Sequence, residues 1–160
     1  MTDEKELKSL IRRWYGRAKP GTVTNNDPFD LFICLWIAFN AWGVHETRIE
    51  THDTEMIKAL KTNPKLEEAF NRCRDRTDFQ EMLLNLKGHK IPTHKESPRF
   101  VCLENVTSLP QLLSVLYQIR CNLFHGRKDP EAADEVRLVK RGIFILDTMF
   151  DVIMHRGDFP

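Results

Sequence analysis

The sequence predicts an all-α protein, a single helical domain over residues 1–160 built from about five or six helices. Three observations point there. Nearly every apolar segment repeats at the 3.6-residue period of a helix, not the two-residue period of a strand. The segments begin and end at residues that start and stop helices, namely Asp-Pro, Ser-x-x-Gln and Gly. The chain has 160 residues, enough for one core, with no internal repeat and no linker long enough to separate domains.

Residues 3–19 carry Leu7, Leu10, Ile11, Trp14 and Tyr15 at helical spacing, and Lys19-Pro20-Gly21 ends that segment. A polar stretch rich in turn formers leads to Asp27-Pro28, a helix start with proline in the first turn. Residues 28–47 are apolar on nearly all sides, which predicts the central buried helix. Two shorter amphipathic pieces are expected near 53–61 and 64–87, the second opening at Pro64. Residues 88–107 break the pattern: Gly88, Pro92 and Pro98 forbid a continuous helix, and Phe100 to Leu103 suits a short extended segment. Ser108 and Gln111 fit a capping box that opens a helix with Leu112, Leu113, Leu116, Ile119 and Leu123 inward. Gly126 closes it as a left-handed cap. Asp129-Pro130 is read as the start of a last helix to about His155, with Val136, Val139, Ile143, Leu146, Phe150 and Ile153 inward.

The bulk numbers narrow the function. Hydrophobic content of 41% and charged content of 29% are those of an ordinary globular protein. The net charge of +1 gives no global field for nucleic acid, so any such contact must come from a local patch. The charged start, MTDEKELKSL, is unlike a secretory signal. The most apolar run, residues 31–39, is too short to span a bilayer. The four cysteines (34, 73, 102 and 121) form no CxxC pair and are read as reduced thiols. Together these predict a cytoplasmic protein with no membrane partner.

The chemistry concentrates in LYQIRCNLFHGRKDP, residues 116–130. An apolar helix there ends by bringing Arg120, Asn122 and His125 within six residues, with Arg127 and Lys128 just beyond. A guanidinium binds phosphate through a two-pronged fork. An imidazole gives and takes protons near neutral pH. An amide can orient either group or contact a ribose hydroxyl. Five residues are about 140° around a helix, so Arg120 and His125 do not stack, although both can reach one rim. By composition alone, one R-x4-H spacing in this chain is within chance. The plain alternative is a helix-end histidine that stabilises the C-terminal dipole beside an exposed arginine.

The stretch LLSVLYQIRCNLFHG resembles the catalytic helix of the HEPN superfamily, whose mark is R-x(4–6)-H near a helix end. It is most similar to the ApeA-like branch, where an R-x-N-L-F-H-G string of this type recurs. FICLWIAFNAWG (32–43) resembles the apolar helix with a central F-N pair that this branch carries upstream. The resemblance covers Leu31–Gly43 and Leu112–Asp151, about a third of the chain.

That resemblance implies a HEPN-like helical bundle that dimerises and acts as a metal-independent endoribonuclease, with Arg120 and His125 as the motif pair. Asn122 falls inside the motif, while the position after the arginine, often polar in the family, is Cys121 here. A tyrosine that a nucleotidyltransferase partner modifies in some family toxins is replaced by Arg127. The implied reaction is attack of the RNA 2′-hydroxyl on the adjacent phosphate, giving a 2′,3′-cyclic phosphate and a 5′-hydroxyl. His125 would transfer protons, and Arg120 would stabilise charge on the pentavalent phosphate. A homodimer would bring two such pairs to one cleft. The implied role is that of a toxin or an anti-phage defence nuclease, with any antitoxin or regulatory partner unidentified. The rival is a non-catalytic HEPN-type module for nucleotide or RNA binding, or for dimerisation.

The remaining candidates each have a plainer reading. Asn40, among Trp36, Phe39 and Trp42, is either a satisfied core amide or a buttress for the Arg120–Asn122 end of the later helix. Arg127 and Lys128 are the expected RNA-binding cations. Lys87, Lys90, Lys95 and Arg99 are either a solvated surface or a local phosphate patch. His89, His94 and Cys102 lack a fourth ligand and fit no standard zinc spacing, so neither a metal nor another cofactor is expected. Trp14, Trp36 and Trp42 occupy apolar helical positions and are read as core.

Overall fold

In the computed structural model, residues 3–19, 27–126 and 128–159 are described. Among them are seven helices and one two-stranded ladder: α1 (Glu4–Arg17), α2 (Pro28–Thr47), α3 (Asp53–Leu60), α4 (Pro64–Arg74), α5 (Thr77–Leu86), β1 (Ile91–Pro92), β2 (Phe100–Val101), α6 (Leu109–Phe124) and α7 (Ala133–Met154). The all-α expectation holds. No helix among the described residues is long and apolar enough to cross a membrane.

Helix α2 is the centre. Asp27 caps it by accepting from the Phe29 N–H at 2.9 Å, Pro28 occupies its first turn, and Arg48 ends it in the left-handed region. It packs against α1, α3, α6 and α7, as a helix that is apolar on most sides must. Gly43 lets α3 approach closely, since a Cβ there would lie 2.9 Å from the Met56 sulfur. On α7, the Phe150 ring meets Tyr15 of α1 and Phe39 and Trp42 of α2 with centroids 5.5, 6.0 and 6.3 Å away, all edge-on. Such contacts add about 0.5–1.5 kcal/mol each beyond burial of the rings. The buried apolar residues form one continuous cluster from Ile11 to Phe159. Trp36 and Trp42 belong to it, and Trp14 packs against it half-buried.

Two boundaries differ from the sequence reading. The expected helix over 64–87 is two helices, which raises the count to seven. The chain turns at Asp75 and Arg76, where the Asp75 N–H bonds the Arg72 carbonyl and Arg76 forks onto Asp78. This turn lets Phe70 and Phe79 meet inside at 6.2 Å, with no glycine or proline to announce it.

The last helix starts at Ala133, three residues beyond the expected Pro130. Asp129 instead closes a turn: its carboxylate accepts from the Glu131 N–H, and its carbonyl from the Ala132 N–H. Asp134 and Glu135 supply the negative charge at the helix start.

The irregular 88–107 region contains the small ladder, with Ile91 opposite Val101 and Pro92 opposite Phe100. Ile91 is buried and Val101 half-buried, while Pro92 and Phe100 face out, as the two-residue alternation of a strand requires.

Candidate functional site

Helix α6 is tightly specified along its first three turns. Ser108 accepts from the Gln111 N–H at 3.2 Å, one half of the expected capping box. The other half is absent: the Gln111 oxygen accepts from the Glu104 and Asn105 N–H groups at 3.0 and 2.8 Å, tying the incoming chain to the helix. Leu112, Leu113, Leu116 and Ile119 are fully buried. Two polar tethers hold α3 antiparallel alongside: Lys61 donates to Ser114 at 2.7 Å, and Arg120 pairs with Asp53 at 2.8 Å. The helix ends on His125, whose N–H bonds the Cys121 carbonyl at 3.0 Å. Gly126 follows with φ of +64°, the left-handed cap expected there.

Tyr117, Arg120, Cys121 and Phe124 follow the i, i+3, i+4, i+7 pattern and so share one stripe of α6. The guanidinium carbon of Arg120 lies 4.5 Å from the Phe124 ring centre and 5.7 Å from that of Tyr117. One terminal nitrogen is held by Asp53, and the other has only the Cys121 sulfur, at 3.9 Å. The Nε is buried and finds no acceptor among the protein groups. The side chain is 20% exposed, so the fork is partly desolvated and aimed by three neighbours. Burial, then Cys121, pushes the Tyr117 hydroxyl up to about 12, with Arg120 acting in the opposite direction. Tyr117 is therefore neutral at physiological pH. Asp53 has no local sequence signal: it lies 67 residues from its partner.

Asn122 sits on the opposite side of α6, two residues from both Arg120 and Phe124. It is fully buried, and both ends of its amide are used. Its Nδ2 donates to the Pro92 carbonyl at 3.0 Å, and its oxygen accepts from Gln118 at 2.9 Å. Asn122 thus mounts the ladder on α6, and the ribose contact considered for it does not fit this burial.

His125 is exposed, and its ring makes no hydrogen bond or ion pair among the described residues. The structure supplies its own comparison. Helix α7 also ends on a histidine cap, His155, with φ −94° and ψ 4° against −90° and 9° for His125. His155 Nδ1 lies 2.8 Å from the Asp151 carbonyl and 3.6 Å from its carboxylate. That is the dipole-stabilising arrangement of a structural helix-end histidine. His125 does not adopt it.

The other expected residues are placed as follows. Asn40 is half-buried in α2; its Oδ1 is buried without a protein partner, so the satisfied core amide is not what the structure contains. Its buttressing of α6 has no hydrogen bond behind it. Arg127 lies outside the described residues. Lys128 is not a surface cation: its side chain is 5% exposed, 3.9 Å from Glu135, and burial lowers its basicity. Burial also lowers that of His89, followed by the charges of Lys128 and Arg141. Among the described residues no three His, Cys, Asp or Glu side chains converge as a metal set. All four cysteines are free thiols.

Fold and site together define an all-α bundle whose sixth helix ends in a partly desolvated guanidinium and an imidazole unpaired among the described residues. No protein-family model, curated protein or solved structure matches the chain.

Proposed function

We propose that this protein is a metal-independent endoribonuclease of the HEPN type, acting as a two-fold dimer with Arg120 and His125 at its reacting centre. The observation that carries the reading is the contrast between the two helix-end histidines. His155 is bonded back onto its own helix, whereas His125 projects its ring into solvent at the end of the helix that holds an oriented guanidinium.

In the proposed reaction the RNA 2′-oxygen forms a bond to phosphorus and the bond from phosphorus to the 5′-oxygen breaks. A base removes the 2′-hydroxyl proton, and an acid delivers one to the departing 5′-oxygen. His125 serves as one of these groups, and that of the partner subunit as the other. The 140° between Arg120 and His125 on one helix suits a cleft composed from two chains better than a site within one. Arg120 has five N–H donors and gives one short hydrogen bond to Asp53, so its fork retains donors for a phosphate. Asp53 fixes the orientation of that fork. A cytoplasmic toxin or defence role accompanies this reading.

A second reading is favoured by the same ion pair. If Arg120 serves only to tie α6 to α3, the protein is a non-catalytic binding or dimerisation module. Incubation of the purified protein with a mixed RNA pool in EDTA separates the two. The nuclease reading requires cleavage that persists in EDTA, leaves 2′,3′-cyclic phosphate and 5′-hydroxyl ends, and fails on 2′-deoxy substrates. Intact RNA, or DNA cut at a comparable rate, contradicts it.

A further inference from the structure

The hairpin mounted by Asn122 carries a group of side chains that the reacting centre does not use. Lys87, Lys90, Lys95 and Arg99 are all exposed, and none has a carboxylate partner among the described residues. Glu96 is the one acid between Lys87 and Phe100. Several cations elsewhere are matched, Lys19 with Asp147, Lys65 with Glu46, Arg76 with Asp78, and Arg156 with Glu68 and Asp158, while Lys8, Arg12 and Arg13 of α1 have no carboxylate partner among the described residues. In a chain of net charge +1 the hairpin is therefore a local positive surface. Phe100 is 50% exposed within it, with the Lys90 ammonium 5.9 Å from its ring centre.

This surface is firmly held. The Asn122 amide grips the Pro92 carbonyl, the Thr93 N–H bonds the Arg99 carbonyl at 2.9 Å, and Thr93 Oγ1 donates to the Pro98 carbonyl. The Gly88 N–H bonds the Leu103 carbonyl at 2.9 Å at the hairpin base. The mount also fixes direction. His125 follows Asn122 by three residues, so it leaves α6 on the hairpin side, while Arg120 and Phe124 leave on the other.

We infer that the outer face of the 87–100 hairpin binds single-stranded RNA, with Lys87, Lys90, Lys95 and Arg99 on phosphates and Phe100 stacked on a base, and leads the strand toward His125. The inference rests on the nuclease reading for its choice of RNA. Cations flanking an exposed ring are the arrangement that holds a single strand, because each base offers a stacking face and each phosphate a charge. A duplex keeps its bases stacked on one another and offers the ring nothing. An acidic peptide would use the cations and leave Phe100 idle.

The test is fluorescence anisotropy of a 2′-O-methyl single-stranded oligonucleotide, which cannot undergo 2′-hydroxyl attack, across a series of salt concentrations. Replacing the four cations with glutamine should lower the slope of log affinity against log salt by about 3, at about 0.7 per lost phosphate contact. Phe100→Ala should weaken binding roughly 5- to 150-fold with the slope unchanged, and Phe100→Trp should restore it. Circular dichroism of each variant establishes that the helices persist. An unchanged slope in the glutamine variant overturns the proposal. So does duplex RNA or polyglutamate bound as tightly as the single strand with no effect of Phe100→Ala.

Binding through the hairpin without cleavage of ordinary RNA would remove the nuclease reading and leave this surface standing. RNA cut by the glutamine variant with the parent KM would do the reverse.

Discussion

Helices α6 and α7 end alike in backbone and differently in chemistry. Each closes on a histidine whose N–H bonds the carbonyl four residues back, at 3.0 Å for His125 and 3.2 Å for His155. At the end of α7 the polar groups are consumed. His155 folds onto Asp151, and Arg156 is satisfied by Asp158 and Glu68. At the end of α6, among the described residues, the imidazole is unpaired, the guanidinium has a buried Nε without an acceptor, and Phe124 is 46% exposed. The difference shows that a helix-end histidine beside an arginine is not by itself a site. What distinguishes α6 is that its guanidinium is oriented by neighbours, and that guanidinium and imidazole both still have bonding capacity among the described residues.

After His125 itself, the largest expected effect that could break this comparison is at Arg120. Arg120→Ala should reduce cleavage roughly 10²- to 10³-fold, the usual loss on deleting one transition-state donor. Arg120→Lys should recover little, since an ammonium keeps the charge and loses the fork. Arg156→Lys, measured in the same assay, should leave the rate unchanged. Asp53→Ala should lower kcat by up to about a hundredfold through misplacement of the guanidinium. As the pair is partly exposed, its loss should cost no more than about 1 kcal/mol in urea unfolding.

Asn122→Ala comes next, as a change in stability. It leaves the Pro92 carbonyl and the Gln118 amide without their buried partner, costing about 1–3 kcal/mol by urea unfolding. His155→Ala should cost only about 0.3–1 kcal/mol, the usual contribution of an exposed side chain at a helix end.

The smallest effect is the pH dependence from His89. Burial, then Lys128 and Arg141, hold its folded pKa below the unfolded value near 6.5. Neutral in both states above that value, it makes its full contribution there; stability is lost as the pH falls through the depressed folded pKa. Urea unfolding at several pH values should show this loss, and His89→Gln should flatten it.

How much of this was legible in the sequence follows from how local each cause is. Asp27-Pro28, Ser108 and Gly126 act on their own turns, and the structure uses all three as expected. Asp129-Pro130 carries the same start signal as Asp27-Pro28. Its carboxylate satisfies a turn N–H instead, and Ala132 becomes the cap. The break after Arg74 depends on Phe70 meeting Phe79 in the core, which no single residue encodes. At the site, the residue types and the helix end were readable in the motif. The Asp53 tether, the Asn122 mount and the burial of Lys128 join distant segments and become visible only once the helices are packed.

The most direct test is a side-by-side assay of His125→Ala and His155→Ala for RNA cleavage in EDTA, with end-group analysis and circular dichroism on both. His125→Ala is expected to lose cleavage by roughly 10²- to 10⁴-fold with helicity intact. His155→Ala is expected to cut as the parent does and to leave the same 2′,3′-cyclic phosphate ends. Cleavage by His125→Ala at the parent rate, or equal losses in the two variants, would contradict the assignment of His125 to the reacting centre.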